Sequence, residues 1–349
     1  MAQARRRLTP GKIVGRIFIV IFTTLIMLVI ALYFIMLVIA KGPSENAKQR
    51  FVCTVQETSA LKFLATWYFT DEEIQNYLGA NRDTIPVEET NTALINIAQK
   101  PGENGEAAQD GAEAHPATEL VDVSGKSFKG KLLKISDPSR VIVGVSGPYG
   151  EGCEGKRVKD IIADYGAMAG TNAGGFLDLN GVGNGGTPLG IVISENQPKA
   201  LVDSTTYPNV VGFDQNNILH VGTMTGAQAK ELGLRDAISW ELGPVLVVNG
   251  KPANENAPLG GGYNPRTAIG QTADGTVLLL VVDGRQMSSI GATYDDLVQV
   301  MMENGAINAA NLDGGSSSVM YMNGELKNIC SSLYGPRPVP TCWLVKPES

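Results

Sequence analysis

Residues 264–285 read NPRTAIGQTADGTVLLLVVDGR, and this stretch sets the fold class. Asp274-Gly275 is a tight-turn pair between two apolar runs, Thr267 to Gln271 and Val277 to Val282, which is the pattern of a β-hairpin. Two further pairs repeat it, Asn249-Gly250 after Pro244 to Val248 and Asn323-Gly324 after Val319 to Met322. Hairpins return the chain antiparallel. Between them the period changes: Val158, Ile161, Ile162 and Tyr165 keep helical spacing and stop at Gly166. A second helix starts at Thr293 with Asp296 completing a capping box and runs through Leu297, Val300 and Met301 to Gly305, and a short third lies between Thr225 and Gly233. The predicted class is therefore α+β, a mixed, largely antiparallel twisted β-sheet with flanking helices. The strand from Thr276 to Val282, the helix 293–304 and the strand from Ile307 to Leu312 form a β-α-β unit. If its strands run parallel, Asp283 and Asp313 stand at the same sheet edge, where such folds place ligands.

Toward the N-terminus the chain changes character. Ile17 to Ala40 is an uncharged run of Ile, Leu, Val, Phe and Met, about 36 Å long as a helix and so sufficient for a bilayer core. It is too long for the apolar stretch of a signal peptide, and Lys41-Gly42-Pro43 is no cleavage site. Arg5, Arg6, Arg7, Lys12 and Arg16 precede it, while Lys41, Lys48 and Arg50 follow, which puts the N-terminus in the cytoplasm and the bulk of the chain outside the cell. The expected organisation is a basic tail (1–16), a single transmembrane helix (17–40), a juxtamembrane helical stalk (41–79) with a capping box at Thr70 to Glu73, a flexible linker (80–117) and one globular domain (118–349). The four cysteines suit an oxidising exterior; Cys330 and Cys342 are close enough to bridge a loop, and free thiols fit equally.

Composition removes several function classes. The net charge of −7 is spread without a basic stripe, so nucleic acid is not an expected partner. His220 is the one histidine of the globular region and no G-x-S-x-G elbow occurs, which argues against a Ser-His-Asp hydrolase and against His-rich zinc sites. What remains is carboxylate chemistry around glycine-rich turns, with 41 glycines in the chain. Asn172, Gly174 and Gly175 lie in Thr171-Asn-Ala-Gly-Gly-Phe176, followed by Asp178 and the loop 181–186. Arg266 leaves a turn where its fork suits a phosphate. Asp313 heads Asp-Gly314-Gly315-Ser316-Ser317 directly after a strand, and Glu241 and Asp283 also lie beside glycine or a strand end. Glycosidic bonds are cleaved by two carboxyl groups, one assisting the leaving oxygen and one the attack at the anomeric carbon. A phosphate leaving group needs less protonation, since an arginine can take its charge.

Together TNAGGF, GNGGTPLGIVIS, ELGPVLVVNGK, NPRTAIG, LLLVVDGR, NLDGGSSS and RPVPTCWLV, spread from about Val121 to Lys346, resemble the phosphodiester glycosidase family, on its bacterial, membrane-anchored branch. The resemblance implies hydrolysis of a sugar 1-phosphodiester, in exopolysaccharide or cell-wall glycopolymer metabolism. It puts Asp313 with Glu241 or Asp283 as acid and base, Arg266 on the phosphate, and Asn172, Gly174, Gly175, Asp178, Gly314, Gly315, Ser316 and Ser317 around the substrate. No cofactor is required. Two other readings keep the same residues: a noncatalytic carbohydrate-binding surface module, and a phosphodiesterase holding Mg²⁺ or Ca²⁺ on Asp178, Asp283 and Asp313.

Overall fold

The computed structural model describes residues 9–58, 61–79, 88–97, 117–150, 152–178, 183–241, 243–255, 259–332 and 334–348. Residues 1–8 of the expected basic tail, most of the expected linker with His115, and residues 181–182 lie outside them, while Pro10 to Arg16 of that tail already belong to the first helix.

Helix α1 (Pro10–Lys41) is 32 residues long, and the side chains of its apolar middle are bare. A contiguous apolar helix with no protein against it is stable where lipid replaces water. Three short helices follow, α2 (Glu45–Gln56), α3 (Phe63–Thr66) and α4 (Asp71–Gly79). Thr70 and Glu73 close the expected capping box, their side chains meeting each other's backbone N–H groups at 3.2 and 2.8 Å. These helices fold into a cap: Val52, Val55, Ala65, Tyr68, Phe69 and Ile74 share one small core with Met36, Leu37 and Ala40 of α1.

From Thr118 the described residues form three larger sheets that share a core, and a two-stranded ribbon of Lys156–Arg157 with Pro338–Val339. The largest has seven strands in the order Thr118–Ser124, Lys129–Ile135, Val277–Val282, Arg266–Thr272, Ala306–Asn311, Val245–Val248, Lys251–Pro252. One five-stranded sheet centres on Ala169–Asn172 and Thr341–Val345, the other on Asp236–Ser239 and Thr206–Phe213. Among the described residues every pairing between these strands is antiparallel. Val277–Val282 reads as unbroken apolar sequence because both its faces are covered. Val277, Leu279 and Val281 enter the core shared by all three sheets, while Leu278, Leu280 and Val282 pack under α7 (Tyr294–Glu303).

The predicted helices appear as α5 (Val158–Asp164), α6 (Gly226–Glu231) and α7, the last two closed by capping boxes at Thr225 and Thr293. The turn residues Asn249-Gly250 and Asn323-Gly324 take positive φ at both positions, as two-residue hairpins require. The strands Val277–Val282 and Ala306–Asn311 run in the same direction and end at the same edge, but they do not pair. Arg266–Thr272 lies between them, antiparallel to both.

Two expectations for the N-terminal half change. Residues 41–79 are no free-standing stalk, because the glycine loop before Arg266 accepts the end of α2. Residues 88–97, expected within the linker, lie on the domain: Asn96 donates its backbone N–H to Ala273 O at 2.7 Å, and Ile95 is buried.

Candidate active site

Antiparallel register brings distant residues to one edge. Arg266 opens its strand opposite Val282, so Asp283, Gly284 and Arg285 continue beside it. Asn311 ends its strand opposite Ala268, which delivers Asp313 to the same place. Phe176, Leu177 and Asp178 arrive from the neighbouring sheet. The result is a cleft of about 380 Å³, lined by Asp178, Arg266, Asp313, Gly314, Gly315, Ser316 and Ser317 from the predicted set, and by Phe176, Leu177, Leu189, Trp240, Asn264, Arg285, Tyr294 and Arg337. Gln56, Glu57 and Lys62 from the helical cap form its remaining wall. A second groove of about 460 Å³ lies at the opposite strand ends around Thr272, Asp274 and Asn304, with none of these arginines.

The cationic side of the cleft is built around Arg266. Its guanidinium lies 4.1 Å above the Tyr294 ring, and its Nε and Nη2 donate to Ala292 O at 3.2 Å and Gly262 O at 2.8 Å. Nη2 also donates to Glu57 Oε2 at 2.7 Å, which Asn264 Nδ2 reaches at 2.7 Å. Arg285 stands alongside, donating to Asn264 Oδ1 at 3.1 Å and to the Glu57 carbonyl at 3.4 Å. Its φ of 58° is a left-handed backbone that a side chain adopts at a cost, as residues at functional turns do. Burial and the neighbouring Arg266 lower the pKa of Arg285. The Glu57 carboxylate is thus the anion held on this side of the cleft, by Arg266, Asn264 and the Gly262 N–H.

Across the cleft, Asp313 is buried, and burial pushes its carboxyl up to about 7 against the opposing pull of Ser317, Arg337 and the Gly314 amide. Its Oδ2 is buried without a hydrogen-bond partner. Asp178 is in the opposite condition. Burial raises it, but Arg337 at 2.7 Å and the Gly183 N–H at 2.6 Å outweigh that and hold it below the usual carboxylate range. One acid at the ordinary physiological boundary and one held ionised is the separation expected of groups with different tasks.

Other predicted residues are placed elsewhere. Asn172 is wholly buried behind Asp313, donating to its carbonyl at 2.6 Å and accepting from Thr267 at 2.9 Å and from the Val319 N–H at 3.2 Å. Gly174 and Gly175 make room: a Cβ on Gly175 would meet the Trp240 ring at 1.8 Å. Asp283 is at the right edge but outside the lining, its Oδ1 taken by Asn328 Nδ2 at 3.2 Å and the Ile329 N–H at 2.8 Å, and burial raises its pKa. Glu241 is exposed, outside the lining, beside Trp240 within it. Strand direction brings Asp283 to the edge, but what its side chain meets there is decided by the 328–329 loop. Arg285 and Arg337 lie outside the set expected from sequence, although each, like Arg266, is an arginine beside a glycine turn. Glu57, Trp240 and Tyr294 carry no comparable signal.

Among the described residues no three His, Cys, Asp or Glu side chains are grouped to hold a metal ion. Asp178 is committed to Arg337 and Asp283 to the 328–329 loop, so these acids do not fit a shared Mg²⁺ or Ca²⁺. Cys153, Cys330 and Cys342 are free thiols, with Cys342 buried in its strand and Cys330 half-buried.

Residues 165–346 match the family described as Phosphodiester glycosidase. The mouse N-acetylglucosamine-1-phosphodiester alpha-N-acetylglucosaminidase is 25% identical over 242 residues, covering 62% of this chain and 44% of that protein. A Bacillus subtilis protein, the SPbeta prophage-derived uncharacterized protein YomE, is 39% identical over 93 residues, 26% of this chain and 14% of its own length. The chain therefore spans less than half the length of these relatives. Among solved structures, the zebrafish N-acetylglucosamine-1-phosphodiester alpha-N-acetylglucosaminidase catalytic domain, auto-inhibited by pro-peptide, shares the fold with a TM-score of 0.55 at 21% identity, over 70% of this chain and 87% of that one.

Proposed function

The chain belongs to the phosphodiester glycosidase family, and we propose that it is a membrane-anchored hydrolase acting outside the cell, cleaving the C1–O bond of a sugar 1-phosphodiester. The observation that carries this reading is the Glu57 carboxylate held by Arg266 and Asn264 in the same cleft as the buried, half-unpartnered carboxyl of Asp313. An anion site beside a poised acid suits a substrate with a phosphate next to its anomeric carbon.

In this reading the diester phosphate displaces Glu57 and takes the Nη2 donor of Arg266, with Arg285 and Arg337 adding charge. Charge-assisted bonds in a site shielded from water stabilise the negative charge that grows on the phosphate as C1–O breaks. The sugar lies against Trp240 and the glycine turn 314–315. Because the arginines take the leaving group's charge, the remaining need is to remove a proton from the attacking water. The ionised form of Asp313 does so: water oxygen bonds to C1, its proton passes to Asp313, and the phosphate departs as a monoester. Asp178 positions Arg337. The zebrafish relative is auto-inhibited by pro-peptide, and Glu57 supplies this chain with an internal competitor for the same anion site.

The test is product analysis with the full chain in detergent and the methyl diester of N-acetylglucosamine 1-phosphate. Release of reducing sugar together with methyl phosphate supports the reading. Saturable binding without product would leave a sugar-binding module instead.

A further inference from the structure

The apolar run of α1 from Ile17 to Ala40 is about 36 Å long, roughly 6 Å more than a bilayer's hydrocarbon core. The helical cap takes up the end of that run, packing Phe51, Val55, Leu64 and Tyr68 around Met36, Leu37 and Ala40. Tyr68 fixes how far down it reaches. Its ring lies 5.9 Å from that of Tyr33 and its hydroxyl donates to Tyr33 O at 3.5 Å. Tyr33 precedes Lys41, the last residue of α1, by about 12 Å of helix. With Ile17 to Ala40 in a bilayer, cap residues beside Tyr68 come to headgroup depth, where tryptophan and tyrosine anchor membrane proteins. Trp67 and Phe63 meet edge to face at 5.2 Å, yet they remain 64% and 48% exposed and Leu61 41%. On the same small cap that packs against the bare helix α1, this patch fits a lipid surface.

The same stretch of chain walls the cleft. Gln56, Glu57 and Lys62 line it, and Lys62 immediately precedes Phe63. The cap is joined to the domain by close contact. The Tyr263 N–H donates to Thr54 Oγ1 at 3.0 Å, Arg50 reaches the Tyr263 hydroxyl at 2.5 Å, and a Cβ on Gly262 would meet the Thr54 nitrogen at 2.3 Å. With α1 in a bilayer, these contacts hold the cleft beside the membrane interface. Leu177, on its domain side, is 46% exposed.

We propose, building on the glycosidase reading above, that the substrate is itself membrane-resident: a glycosyl phosphodiester whose second ester is a long-chain apolar alcohol. The sugar and phosphate enter the cleft, and the chain passes over Leu61, Phe63 and Trp67 into the outer leaflet. Hydrolysis breaks C1–O, adds water across it, frees the sugar to solution and leaves the lipid phosphate monoester in the bilayer. A substrate carried in solution would have no use for an apolar path from the cleft to the membrane.

The experiment uses the full chain reconstituted in phosphatidylcholine vesicles, with the methyl and hexadecyl diesters of N-acetylglucosamine 1-phosphate. The expected result is at least tenfold higher kcat/KM for the hexadecyl ester, with the ratio falling toward one in a Phe63→Ser, Trp67→Ser double variant. Bromine-labelled lipid is expected to quench fluorescence of the unmutated chain, and to quench it much less in Trp67→Phe. Equal turnover of the two esters, or quenching independent of Trp67, overturns the membrane substrate and leaves the glycosidase reading standing. Release of sugar from neither ester overturns both.

Discussion

Replacing Asp313 by Asn separates catalysis from stability at one buried group. Moving a carboxyl from 3.8 to about 7 corresponds to roughly 4 kcal/mol of preference for its neutral form. The folded pKa lies above the unfolded one, so between these values the native state holds a proton that the unfolded chain has lost. Stability is then full below about pH 4 and declines as pH rises toward about 7, after which it levels off. Asn keeps the size and the acceptor facing Ser317 but never ionises. We therefore expect parent and Asp313→Asn to melt together near pH 4, and the variant to melt on the order of 10 °C higher at about pH 8. Its turnover should fall by at least a hundredfold at every pH. In the parent, kcat/KM should rise about tenfold per pH unit up to about pH 7 and then flatten, because the ionised carboxyl is the active form. Differential scanning fluorimetry of the detergent-solubilised chain and a pH–rate profile measure both. Equal melting temperatures at pH 8, or a rate that falls through pH 7, would refute the assignment of a buried base.

Arg266→Ala removes the charge-assisted bond meant for the phosphate and should weaken kcat/KM by about tenfold to a hundredfold, read on the methyl diester. Glu57→Ala frees the anion site, so KM should fall several-fold while thermal stability drops slightly through loss of the contact with Arg266; an unchanged KM would remove Glu57 as a competitor. Gly175→Ala places a methyl group inside the Trp240 ring and should cost about 1–3 kcal/mol, seen as a lower Tm. Asp178→Asn should raise KM more than it lowers kcat, because it loosens Arg337 without touching the reacting carbon, and Asp178→Glu should restore part of the loss.

Local rules made much of the architecture legible. The Asn-Gly pairs at 249 and 323 had to turn because both backbone positions need left-handed φ, and the Thr293 and Thr225 caps had to start helices because their side chains close the first turn. The alternation of Val277–Val282 between two cores was hidden by its composition, since a strand covered on both faces looks uniformly apolar. Direction without pairing, as between Val277–Val282 and Ala306–Asn311, was equally beyond local reading, because it depends on Arg266–Thr272 inserting between them. The stretch 41–79 read as a stalk because its helical spacing is visible while the surface that receives Glu57 is not.

Residue types and spacing alone determined the apolar helix, the antiparallel α+β class, and the choice of arginine and carboxylates at strand ends over histidine chemistry. Only the tertiary structure decided which of them share a cleft. Asp178, Arg266 and Asp313 do so with Arg285 and Arg337, Asp283 is taken by the 328–329 loop, and Glu241 is left to solvent. The reason is physical: helix caps and hairpins are settled within a few residues, whereas a side chain's neighbours, its burial and hence its proton affinity are set by segments hundreds of residues apart.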